Sequence, residues 1–150
     1  MTTADTPTSR ERFEVRRPFT PVQWAAVVGS LAILVWSIPG MIVNPDFAIG
    51  DSATAELVLG VDMNGWHALS GFLLAIPGLL VASRPHLAAL FNLSAAAGLI
   101  TTGVWALFDT QVAGGLFSLP HTASDALLHF ATSAIFLAGA AHYFFTERAR

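Results

Sequence analysis

The chain has 150 residues, of which 54% are hydrophobic and only 11% charged, less than half the roughly 25% charge of an average soluble domain. Seven basic residues against ten acidic ones exclude a basic nucleic-acid binder, and the absence of cysteine excludes disulfides, iron–sulfur clusters, thiolate metal sites and a cysteine nucleophile. Lipid is the solvent that fits this composition. The expected fold class is all-α, an integral membrane four-helix bundle with both termini cytoplasmic.

Residues 1–17 are polar and charged, and are expected to form a disordered cytoplasmic tail. The Arg16-Arg17-Pro18-Phe19 run ahead of an apolar stretch has the outline of a twin-arginine export signal. The stretch exceeds a signal core of about 7 to 15 residues, however, and no Ala-x-Ala site closes it, so an uncleaved first helix is expected. Uncharged windows then run over Pro18–Pro45, Met63–Ser83, Pro85–Phe108 and Ala126–Thr146. At about 1.5 Å per residue, some 20 helical residues cross a hydrocarbon core of roughly 30 Å. The windows therefore predict helices near 22–43, 64–83, 87–108 and 125–146 within a membrane domain of 18–146, and 147–150 form a short cytoplasmic end.

Short loops rich in Arg stay in the cytoplasm. Arg10, Arg12, Arg16 and Arg17 precede the first window, Arg84 separates the second from the third, and Arg148 and Arg150 follow the fourth. Four crossings put all seven on one side, where four acids leave a net +3; Asp46, Asp51, Glu56, Asp62, Asp109 and Asp125 give −6 on the other. The two loops on the acidic side hold turn signals and apolar pieces, Leu57-Val58-Leu59-Gly60 and Gly114-Gly115-Leu116-Phe117, which predict short amphipathic segments at the interface.

Small residues stand four apart in every window: Ala25 and Gly29, Ala26 and Ser30, Gly71 and Ala75, Ser94 and Gly98, Ala134 and Ala138. In lipid such positions let helices approach closely, within the bundle or across a homodimer. Pro39 and Pro77 interrupt two windows and predict kinks. Trp24, Trp66, Trp105 and Tyr143 lie near window ends, as in an interfacial aromatic belt.

The second and fourth windows begin alike. Asn64-Gly65-Trp66-His67 opens one and Asp125-Ala126-Leu127-Leu128-His129 the other, each a polar N-cap followed by a histidine. A helix N-terminus disfavours imidazolium, which leaves a ring nitrogen free to ligate. His67 and His129, with Asp125 and Asn64, form the candidate polar or ligand site. If the two helices touch, the rings could hold haem b or a divalent metal ion; otherwise they are shallow polar glue between helices. His121, His86 and His142 read as ordinary loop or interface residues. Asn92, Ser94, Thr101 and Thr102 make the third window the most polar, the one feature that suits small-solute transport. With no charge in the middle of a span, ion coupling lacks its usual groups.

The Asn64-x-x-His67-x-x-x-Gly71 start with its Gly78-Leu79, and the Asp125-x-x-Leu128-His129 start, make the chain resemble a bacterial family of four-helix membrane proteins, domain of unknown function 4383. The likeness covers most of residues 20–146; Ala126 stands where that family often has asparagine. It implies an integral membrane protein of the bacterial plasma membrane without an assigned activity. The expected function is non-catalytic: a structural or accessory component, without a cofactor, whose partners are the lipid bilayer and a membrane protein or a second copy of itself.

Overall fold

In the computed structural model, residues 18–108, 111–112 and 119–147 are described, with only the backbone of Asp51, Gln111, Val112, Leu119 and Glu147. The expected tail 1–17, the Gly114–Phe117 segment and residues 148–150 lie outside them. Four helices form a bundle: α1 (Pro21–Val43), α2 (Gly65–Val81), α3 (Pro85–Ala106) and α4 (Ala123–His142), the last running on into a π-helical turn over Tyr143–Glu147. Three of them are long and apolar enough to cross a membrane, and α2 is a shorter apolar helix of 17 residues. Pro39 and Pro77 both lie inside helices.

The first acidic loop differs from the expected amphipathic segment. It folds into a hairpin of β1 (Glu56–Val58) and β2 (Val61–Met63), and β3 (Gln111–Val112) pairs antiparallel with β4 (Leu119–Pro120). Leu59 and Gly60 turn the first hairpin with φ of 53° and 84°. Positive φ at both turn residues matches the twist of a two-residue hairpin, and the Gly at the second position takes it without a Cβ penalty. Alternation is too short over three-residue strands to announce itself in the sequence.

Hydrogen bonds tie this loop and its hairpin to the helix ends. Asn44 Nδ2 donates to the Met63 carbonyl at 3.1 Å, Gly65 N–H to the Asp46 carbonyl at 2.8 Å, and Trp66 Nε1 to the Phe47 carbonyl at 2.9 Å. Asp46 accepts from the Thr54 and Ala48 N–H groups and from the Thr54 hydroxyl. The Thr54 N–H first, then that of Ala48 and the hydroxyl, hold its carboxyl below the ordinary value of 3.8. At the opposite, arginine-bearing end, Gln23 accepts from Thr20 N–H and donates to the Ala82 carbonyl at 2.8 Å, joining the start of α1 to the end of α2.

The core is built from small residues and one large ring. Ala26, Ala88, Ala89 and Ala96 are buried, and Phe136 is fully so. Gly29 sits so close to the Phe136 ring that an added Cβ would lie 2.5 Å from it; Gly78 abuts Ser30 and Phe91, and Gly139 abuts Ala25. The four-residue spacing of small side chains thus serves close approach within the bundle. Asn92 is buried in α3 and donates to the Val22 carbonyl of α1 at 2.9 Å. α1 packs against all three other helices, whereas α2 and α3 pack little against each other.

Candidate metal centre

The site lies where the hairpins cap the bundle. Asn64 is the N-cap of α2, extended in φ and ψ, and its side chain accepts from His67 N–H at 2.9 Å, which fixes His67 as the third helical residue. For α4 the expected cap is corrected. Thr122, not Asp125, is the N-cap, and Asp125 is the third helical residue, its Oδ2 accepting from the Thr122 N–H at 2.6 Å and hydroxyl at 2.7 Å. Threonine followed by an acid three residues later is a capping-box pattern, and that was the available signal. The helix therefore starts two residues earlier than expected and its cap lies three residues earlier, so His129 lies nearly two turns inside it instead of one.

Despite this shift the two histidines meet. The His67 and His129 rings are 6.2 Å apart, centroid to centroid, and His121 joins them. Its ring stacks on His67 at 4.7 Å and on His129 at 5.2 Å, and the two Nε2 atoms of His121 and His129 are 3.1 Å apart. His121 is 2% exposed, just after β4, so the expectation that it is an ordinary loop residue is corrected. One ligand nitrogen from each of the three lies within 4.8 Å of the others. Nothing in the local sequence marks His121, because its position depends on the β3–β4 pairing that returns the chain to the bundle.

The hydrogen bond behind His67 suits ligation. His67 Nδ1 lies 2.9 Å from the Asp62 carbonyl in β2. A carbonyl only accepts, so Nδ1 carries the proton and Nε2 keeps its lone pair. A tetrahedral ion at about 2.0–2.1 Å from each nitrogen needs ligands roughly 3.4 Å apart. The His121–His129 pair already has that spacing, and the third ring closes on it by at most about 1.4 Å. Two helix N-termini converge here with their positive ends, and Asp125 offsets them. It is 1% exposed and lines the same cavity, with Oδ1 buried and lacking a hydrogen-bond partner among the described residues. Asn64, also fully buried, serves as a cap and lies outside the ligand trio.

Below the histidines is a cleft of about 500 Å³, walled by α1, by α2 on one side and by α3 and α4 on the other. Its apolar lining includes Ile33, Leu74, Phe91 and Leu99. Three hydroxyls of its wall bond to their own helices: Ser37 to the Ile33 carbonyl, Ser70 to that of His67, and Thr102 to that of Gly98. Thr101 does the same with Ala97, and Asn92 lies in the helix packing, so of Asn92, Ser94, Thr101 and Thr102 only Ser94 turns its hydroxyl to the cleft without bonding its own helix.

Fold and site define a four-helix membrane-type protein with a three-histidine centre at one end of the bundle. The sequence model described as "Domain of unknown function (DUF4383)" matches residues 23–142, and the chain belongs to that family. No curated protein and no solved structure matches it.

Proposed function

We propose that the chain is a multi-pass protein of the bacterial plasma membrane that holds one late first-row divalent ion, such as Zn²⁺, on His67, His121 and His129, without catalysing a reaction itself. It crosses the bilayer four times, with both ends in the cytoplasm and the acidic, hairpin-bearing end outside. The observation that carries the reading is the convergence of three imidazole nitrogens within 4.8 Å. Imidazole suits Zn²⁺, Cu²⁺ and Ni²⁺, and the chain has no thiolate to compete with it. Haem fits less well. A porphyrin plane between two of these nitrogens would have to clear the third, whereas a bare ion uses all of them.

The test is metal content. Purified full-length protein, loaded with Zn²⁺ and dialysed, retains one ion per chain, and Co²⁺ in its place gives the visible absorption of a tetrahedral site. Both signals are lost in His67→Ala, His121→Ala and His129→Ala. Protein that keeps no metal refutes the reading, and a Soret band that vanishes with the same substitutions replaces it with haem. A second reading, polar glue between helices and hairpins, is favoured by the 3.1 Å His121–His129 contact. It gives a metal-free protein that His121→Ala destabilises. For topology, Ser52→Cys reacts with an impermeant thiol reagent from outside and Ser83→Cys does not; the reverse pattern inverts the orientation.

A further inference from the structure

The cleft beneath the histidines has its polar groups sorted by depth. Its hairpin end holds three imidazoles and Asp125, and its floor and walls are mostly apolar, with the hydroxyls of Ser37, Ser70 and Thr102 already donating to their own backbone and those of Ser94 and Thr132 as the remaining polar groups of the wall. A molecule lying along it finds coordinating partners at the histidine end and mainly hydrocarbon contact below. At about 500 Å³ the space is within the 300–1,000 Å³ range of small-molecule sites. Both α2 and α3 line it, and these two helices pack far less against each other than α1 packs against α2.

One glycine separates this region from the packed core. A Cβ added at Gly98 meets nothing within 4 Å, unlike those at Gly29, Gly78 and Gly139. The volume beside Gly98 is unfilled by the chain's own side chains, and a tetrahedral ion with three protein ligands keeps one position for an outside donor.

We infer that the cleft binds a single membrane-soluble amphiphile, a slender apolar chain with one small oxygen-bearing head, whose head completes the coordination of the ion while its chain lies along Leu74, Phe91 and Gly98. This rests on the metal reading for the head and on the cleft alone for the chain. A second strongly polar end would have only the Ser94 and Thr132 hydroxyls to meet it in a mostly apolar wall, whereas the histidine end offers three imidazoles, so the occupant's principal polar group is placed there.

The test uses Trp36, which lines the cleft, as a reporter in full-length protein in which Trp24, Trp66 and Trp105 are replaced by Phe. The probes are an omega-bromo octanohydroxamic acid and bromooctane, both quenchers of Trp36, titrated with and without Zn²⁺. The expected result is saturable quenching by the hydroxamic acid, with a midpoint at least about tenfold lower in zinc-loaded than in metal-free protein, and no such zinc effect for bromooctane. Gly98→Leu, which fills the cleft without touching the ligand trio, abolishes the saturable component and retains one zinc per chain. Protein that holds zinc but shows only non-saturable quenching, unaltered by Gly98→Leu, overturns the inference and leaves the metal reading standing. Protein that takes no zinc yet shows saturable quenching removed by Gly98→Leu overturns the metal reading and supports the chain site in the cleft.

Discussion

The packed half of the bundle and the cleft half use the same small residues for opposite ends. Around Phe136, glycine gives way to a neighbour: Gly29 admits the ring, and Gly139 admits Ala25 of the facing helix. Beside Gly98 the absence of a side chain admits nothing from the chain itself. Small side chains four apart are therefore permissive, and only the path of the helices decides whether they bring backbones together or leave space. α2, held at one end by Gln23 and at the other by the Asp46 and Asp62 carbonyls, leans on α1 and leaves α3 partly uncovered.

Substitutions sharpen this contrast, and the largest effect is expected at the packed glycines. Gly139→Val sets carbon against Ala25 and the Val22 backbone, so α1 and α4 have to separate, at about 3 kcal/mol by thermal or denaturant unfolding in detergent. Gly98→Ala, by contrast, gains about 0.5–1 kcal/mol from helix propensity alone. Equal losses at the two positions would erase the distinction between the halves. His121→Ala lowers zinc affinity at least about 100-fold, since removing a group that only hydrogen-bonds a ligand costs about 10–100-fold. His86→Ala and His142→Ala, at the other end of the bundle, leave it unchanged; competition with a chelating dye measures all three. Asn92→Ala removes the α3–α1 bond to Val22 and costs about 1 kcal/mol, in the range of hydrogen bonds between membrane helices.

The smallest effect is electrostatic. The Asp46 carboxylate gathers the loop from Ala48 to Thr54 through its hydrogen bonds. Because it titrates below 3.8 in the folded chain, its contribution is complete above about pH 4 and disappears as pH falls through the lowered folded value. Amide exchange at Ala48 and Thr54 should accelerate over that acid range, and Asp46→Asn should make it insensitive to pH there.

The bundle was legible because charge is excluded from lipid, so its gaps mark helices. Their first turns were only partly so. Asn64 reads correctly as a cap because it stands alone before the apolar run. Asp125 misleads, because the earlier Thr122 competes for the cap and wins by letting the carboxylate reach back to it. The pairing of His67 with His129 follows from two helices that run the same way and start alike. His121 escaped notice because no periodicity connects it to either helix, and its place is set by a two-residue strand pairing. The cleft escaped notice as well, since empty volume leaves no trace in composition.

The 2.9 Å contact between His67 and the Asp62 carbonyl, together with the position of His121 beside β4, gives each hairpin one end in the same cluster. An ion bound there would act as a fastener in a chain that has no cysteine to make one. It would close a loop of about 54 residues between His67 and His121, which for a covalent cross-link corresponds to about 4 kcal/mol of chain entropy. Unlike a disulfide, this fastener would open to a chelator or to acid without a redox step, and the lid formed by the two hairpins would loosen with it.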